Sequence, residues 1–165
     1  ELTHLEISKS LNSNNLSLFF DKISYLNLQE LDLSNNNLEN FDAKYLSEMV
    51  NLRHLFLFDC KLKTVNLNYD FLSNLESISV GLNDFIDHSL DFVFAKLVNL
   101  KSLDLSWNVK LKLNANIFAG LAQLEELNLH RLNRFSRNQP DLKKHLEEFC
   151  DAMGIKKTKH FQIRI

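Results

Sequence analysis

The tightest constraint on this chain is a phrase that it repeats. Residues 28 to 38 read LQELDLSNNNL, with leucine at steps 1, 4, 6 and 11 and asparagine at step 9. Leu31 and Leu33 alternate with polar residues at the period of a short strand, and the run from Ser34 to Asn37 reads as a turn. One strand of this length cannot bury its own leucines, so it must pack against further copies. The frame fits six times, from Leu2, Leu28, Leu52, Leu75, Leu100 and Leu124, at intervals of 26, 24, 23, 25 and 24 residues. The strand cores are LTHLEI, LQELDL, LRHLFL, LESISV, LKSLDL and LEELNL. Step 9 holds Ser10, Asn36, Cys60, Asn83, Asn108 and Leu132, and a buried amide there can satisfy turn backbone groups that would otherwise lack partners.

Such a coil needs many turns, yet glycine (3) and proline (1) are scarce. Asparagine, serine and aspartate must therefore build the bends, by bonding their own backbone. At 165 residues the chain is one domain, and its net charge of −2 points away from nucleic acid. No run approaches the roughly 18 apolar residues of a membrane span, and no signal-peptide pattern opens the chain. Glu1 falls inside a repeat, which reads as a processed or truncated start.

Between strands, FAKLVNL (94 to 100) and FAGLAQL (118 to 124) share an F-x-x-L-x-x-L return, and YDFLSNL (69 to 75) imitates it with tyrosine. With these segments the chain resembles the typical 24-residue subfamily of leucine-rich repeat proteins, as in Toll-receptor ectodomains and secreted innate-immunity proteins. The resemblance covers residues 2 to about 132. It implies an α/β solenoid: a horseshoe with a parallel concave sheet and an irregular or short-helical convex side. It leaves function open, because the scaffold serves many partners.

Residues 1–132 are thus read as about six coils and 133–165 as a C-terminal cap of the same domain. In DLKKHLEEFCDAM the residues Leu142, Leu146, Phe149, Cys150 and Met153 share one helical face, which predicts a helix over about 141–153 that stops at Gly154. Phe161, Ile163 and Ile165 then alternate, which predicts a last strand over about 160–165. Such a cap covers core leucines and a bare strand edge at the solenoid's end. No cap precedes the first coil, so self-association through that end is one alternative reading.

Cys60 and Cys150 lie at least three strand spacings apart, roughly 14 Å, too far for a disulfide, so both are expected as buried thiols. The tail is too short for the cysteine ligase domain of some bacterial leucine-rich effectors. His4 and His54 share an outward column about 10 Å apart, too far for one zinc ion. KKTKH (156 to 160) reads as a solvated connector. No phosphate loop, metal motif or nucleophile elbow occurs, so neither enzyme activity nor a cofactor is expected. The repeat subfamily and the sequon at Asn15 favour an extracellular or secreted origin, while the absence of flanking cysteine clusters keeps an intracellular adaptor or bacterial effector as an alternative.

Steps 3, 5, 7 and 8 face outward on the concave side. Most are polar, but Phe56, Phe58, Leu82 and Trp107 form an apolar set over three coils, rimmed by Asp32, Asp59 and Asp104, with His130 and Arg131 in the next coil. This is the composition of an interaction hot spot, and it predicts a protein partner on the concave face. Gly81 beside Leu82 either leaves room for an inserted side chain or serves the strand's turn.

Overall fold

A computed structural model describes residues 2–39, 41–132, Glu148, Cys150, Asp151 and 162–164. Among these residues seven short strands form one parallel sheet in sequence order. They are β1 (His4–Glu6), β2 (Glu30–Asp32), β3 (His54–Phe56), β4 (Ser77–Ser79), β5 (Ser102–Asp104), β6 (Glu126–Asn128) and β7 (Gln162–Arg164). The register holds the repeat frame throughout: Leu5, Leu31, Leu55, Ile78, Leu103, Leu127 and Ile163 are partners across successive strands. The sheet does not close, as in a horseshoe.

The inward residues of steps 1, 4 and 6 form one continuous core. Leu28, Leu31, Leu33, Leu52, Leu55, Leu57, Leu75 and Val80 are fully buried. In the first coil Leu5 and Ile7 are only partly buried, because β1 has a neighbouring strand on one side alone. The convex side is irregular. One α-helix, α1 (Leu16–Ile23), backs the first coil, and single 3₁₀ turns at Ala43–Leu46, Asp70–Leu72 and Ala115–Phe118 back three others. Helix α1 buries Leu16, Phe20 and Ile23, and the Phe20 ring stacks on Tyr45 with centroids 5.2 Å apart.

The phenylalanines of the two return segments, Phe94 and Phe118, are buried on the convex side. Tyr69, which replaces them one coil earlier, is partly buried, and its hydroxyl donates to Asp42 Oδ1 at 3.2 Å. Gly120 is required: its φ is +84°, and a Cβ there would lie 2.4 Å from the Ala95 carbonyl oxygen.

Glu148, Cys150 and Asp151 are helical and Cys150 is buried, while the rest of the predicted cap helix, with Leu142, Leu146, Phe149 and Met153, lies outside the described residues. Cys60 is also buried, and the two thiols are not joined.

Candidate functional site

The concave face is built by the backbone that ends each strand. Behind it runs an asparagine ladder. Asn36 Oδ1 accepts from Ser10 N (2.9 Å) and Leu11 N (2.8 Å), while its Nδ2 donates to Ile7 O (2.6 Å) and Leu33 O (2.8 Å). Asn83 repeats the arrangement, accepting from Cys60 N and Leu62 N, both at 3.0 Å, and donating to Leu57 O and Val80 O, both at 2.9 Å. Asn108 donates to Val80 O (3.0 Å) and Leu105 O (2.9 Å). Cys60 supplies the donor half of this role, its thiol donating to Leu33 O at 3.2 Å. Burial pushes that thiol's pKa up to about 12, so it remains protonated and is a poor nucleophile.

Two of the three predicted rim carboxylates hold up the turn rather than stand free. Asp32 Oδ1 accepts from Ser34 N at 2.8 Å and Asp104 Oδ1 from Ser106 N at 2.9 Å, as Asn128 Oδ1 does from His130 N at 3.1 Å. Step 5 therefore caps the bend at step 7, which is an Asx-type bond. The second oxygen of Asp104 accepts from Ser79 Oγ at 3.0 Å.

The aromatic residues fall into two groups. Phe56 and Phe58, both partly buried, form one wall of a groove floored by Ser77, Ser79, Ser102 and Asp104 and bounded beyond by Glu126, Asn128, Gln162 and Arg164. The space beside Gly81 is filled from within: a Cβ on Gly81 would lie 2.9 Å from both Phe58 Cδ2 and Ser106 Oγ, so the ring of Phe58 closes over that glycine. The expected opening for a foreign side chain is thus already occupied.

Leu82 (38 % exposed) and Trp107 (39 % exposed) lie instead on the rim, at step 8 of adjacent coils. Trp107 gathers the two basic residues of the next coil, with the His130 ring 5.9 Å away and the Arg131 guanidinium 4.9 Å above the indole. Asp59 stands at step 8 one coil before Leu82. The backbone of this row is left-handed at every coil: Lys9, Asn35, Asp59, Leu82, Trp107 and Arg131 all have φ between 50° and 61°. The sequence hint is Asn35, a residue tolerant of that region, in the most regular repeat. The groove's far wall includes Gln162 and Arg164 of β7, which pairs in parallel with β6; the alternation of Phe161, Ile163 and Ile165 marks a strand there, but not that its polar residues line a groove.

His4 lies 3.5 Å from Glu30, and among the described residues no group of three or more histidine, cysteine, aspartate or glutamate residues is placed to hold a metal ion. Asn15, the sequon asparagine, is partly buried at the start of α1. Its Oδ1 accepts from Asn12 N at 2.8 Å and its Nδ2 donates to Ser10 O at 2.9 Å, so the nitrogen that glycosylation would modify is engaged.

Outside the concave face, carboxylates are held by neighbours both within their own coil and across to adjacent ones. Hydrogen bonding from Lys101 (2.7 Å), with Arg53 on the other side, holds Glu76 below the usual carboxylate range. Asp91 is likewise lowered, first by His88 (2.9 Å), then by the side chains of Asn114 (2.8 Å) and Asn116 (3.1 Å).

No protein-family model and no curated protein matches the chain. Solved structures do. TLR13, in a complex with the single-stranded RNA ssRNA13, superposes with a TM-score of 0.59 at 30 % identity over 76 % of this chain and 18 % of its own. Internalin C2 from Listeria monocytogenes gives 0.58 at 21 % identity over 81 % of this chain and 55 % of its own. InlJ from the same organism, whose functional domain includes a cysteine ladder, gives 0.52 at 18 % identity over 79 % of this chain and 26 % of its own. The chain therefore spans only part of each of these proteins. With its in-register parallel strands, its asparagine ladder and these neighbours, the chain is by fold a leucine-rich repeat protein.

Proposed function

We propose that the chain is a non-enzymatic recognition module that takes a protein partner on the concave face of its sheet. The observation that carries this reading is the aromatic wall of Phe56 and Phe58 beside a serine-floored groove, on a face whose other outward side chains are mostly polar. Leu82 and Trp107 extend the apolar surface to the rim, with Asp32, Asp59, Asp104, His130 and Arg131 around it. The leucine-rich repeat neighbours support a protein-interaction repeat module in general. TLR13 is a neighbour seen with RNA. For this chain, the concave carboxylates Glu6, Glu30, Asp32, Asp104 and Glu126 would repel phosphates and favour a protein carrying basic groups. A receptor-like or secreted setting fits the repeat type. The engaged amide of Asn15 argues against that sequon as its marker.

The test is affinity capture from the native source followed by titration of the identified partner. Phe56→Ser is expected to weaken binding about thirtyfold, the loss typical of an aromatic anchor at an interface centre. Unchanged affinity would remove the concave face from the interface.

The partly buried Leu5 and Ile7 at the β1 edge support a second reading, self-association through the first coil. A monodisperse monomer in light scattering would exclude it.

A further inference from the structure

Step 8 is the place where backbone and side chain disagree. All six of its residues are left-handed, with φ from 50° to 61°. Asparagine and aspartate tolerate that region, so Asn35 and Asp59 suit it, whereas leucine and tryptophan do not. At Leu82 and Trp107 the chain accepts this strain and also leaves 38 % and 39 % of two large apolar residues in solvent. Neither cost has a return in the core.

The coils place these two residues in one row. The step 8 amides bond across to the next coil, Asp59 N to Gly81 O at 3.0 Å, Leu82 N to Ser106 O at 2.8 Å and Trp107 N to His130 O at 2.7 Å. Asp59, Leu82, Trp107 and Arg131 therefore follow one another at about 4.8 Å per coil, roughly 14 Å from end to end. The two ends carry opposite charges. Among the described residues Asp59 makes no ion pair, and Arg131 is met by the Trp107 ring and by no carboxylate.

We propose that this row is the contact line for one extended polypeptide segment, with a cationic side chain opposite Asp59, an acidic one four residues away opposite Arg131, and the one apolar side chain midway between them, on the same face, against Leu82 and Trp107. An extended chain advances about 3.4 Å per residue, so four residues match the row. The proposal rests on the protein-recognition reading above and narrows it to the rim. A nucleic acid fits less well, because Asp59 would face its phosphates.

Fluorescent nine-residue peptides with a central Lys-Val-Leu-Val-Glu test it by polarisation, beside peptides with Lys or Glu at both charged positions and a nine-nucleotide single-stranded RNA. The Lys/Glu peptide is expected to bind at least tenfold tighter than either like-charge peptide, and Asp59→Lys should transfer that preference to the Glu/Glu peptide. Leu82→Asn should weaken binding at least tenfold while raising the melting temperature by about 2–4 °C, as relief of left-handed strain predicts. Equal or absent binding of the three peptides, no transfer on Asp59→Lys, a lowered melting temperature for Leu82→Asn, or preference for the RNA would overturn the row. Peptide binding lost with Phe56→Ser but kept with Leu82→Asn would also overturn it, and would leave recognition on the concave face standing.

Discussion

Asn83 shows how much one side chain holds: two amides and three carbonyls from two coils bond to it, all in the core. Asn83→Ala would leave Cys60 N, Leu62 N and Leu57 O without these partners, each at about 1–3 kcal/mol, while Val80 O keeps Asn108, so a loss of about 3 kcal/mol or more is expected in the unfolding free energy from denaturant titration. Cys60 fills the same step with a weaker donor. Cys60→Asn is therefore expected to be neutral or stabilising by up to about 1 kcal/mol, the rare polar-for-apolar change in a core that costs nothing. A destabilised Cys60→Asn variant would show that the site has adapted to sulfur. The step 9 pattern was readable in sequence because asparagine stands there three times in six. The left-handed backbone at step 8 was not, because its occupants, from Lys9 to Trp107, share no side-chain chemistry and only their φ unites them.

At the scale of the strand and its turn, the step 5 carboxylates have a structural duty that composition alone disguised as a charged rim. Asp32→Ala removes the acceptor for Ser34 N and should lower stability by about 1 kcal/mol, as for other side-chain caps, in addition to any effect on association. Stability unchanged in thermal melting would mean that water replaces the cap without cost. The strands themselves were legible, since each alternates leucine with polar residues and begins at a fixed spacing. The division of the apolar set into a Phe56 and Phe58 wall and a Leu82 and Trp107 rim was not. Steps 7 and 8 are adjacent in sequence, and only the turn between strand and loop separates the directions in which they leave the sheet. Gly81 misled for a related reason, since its missing side chain is matched by a ring from the preceding coil, a contact 23 residues away.

Across the whole molecule, stability at acid pH is set by carboxylates that bridge coils. Glu76 and Asp91 have folded pKa values below their ordinary ones. The stabilisation they confer is thus complete above the unfolded carboxylate pKa of about 4, and is lost as pH falls through the lowered folded values. Melting temperature should hold from pH 7 to about 5 and decline below about 4, with a shallower decline in Glu76→Gln. A flat profile would mean that these bridges add nothing. The strand order carries a further consequence, because every strand touches only its predecessor and its successor in the chain. The molecule can therefore open like a row of books losing its end volume, one interface at a time, without the core failing at once. Amide exchange should be fastest at Ile7 and Lys9, whose coil has a neighbouring strand on one side only, and should slow toward Leu57 and Val80, whose coils are flanked on both. Uniform protection along the sheet would indicate instead a single cooperative unit, in which disturbance at one end is felt at the other.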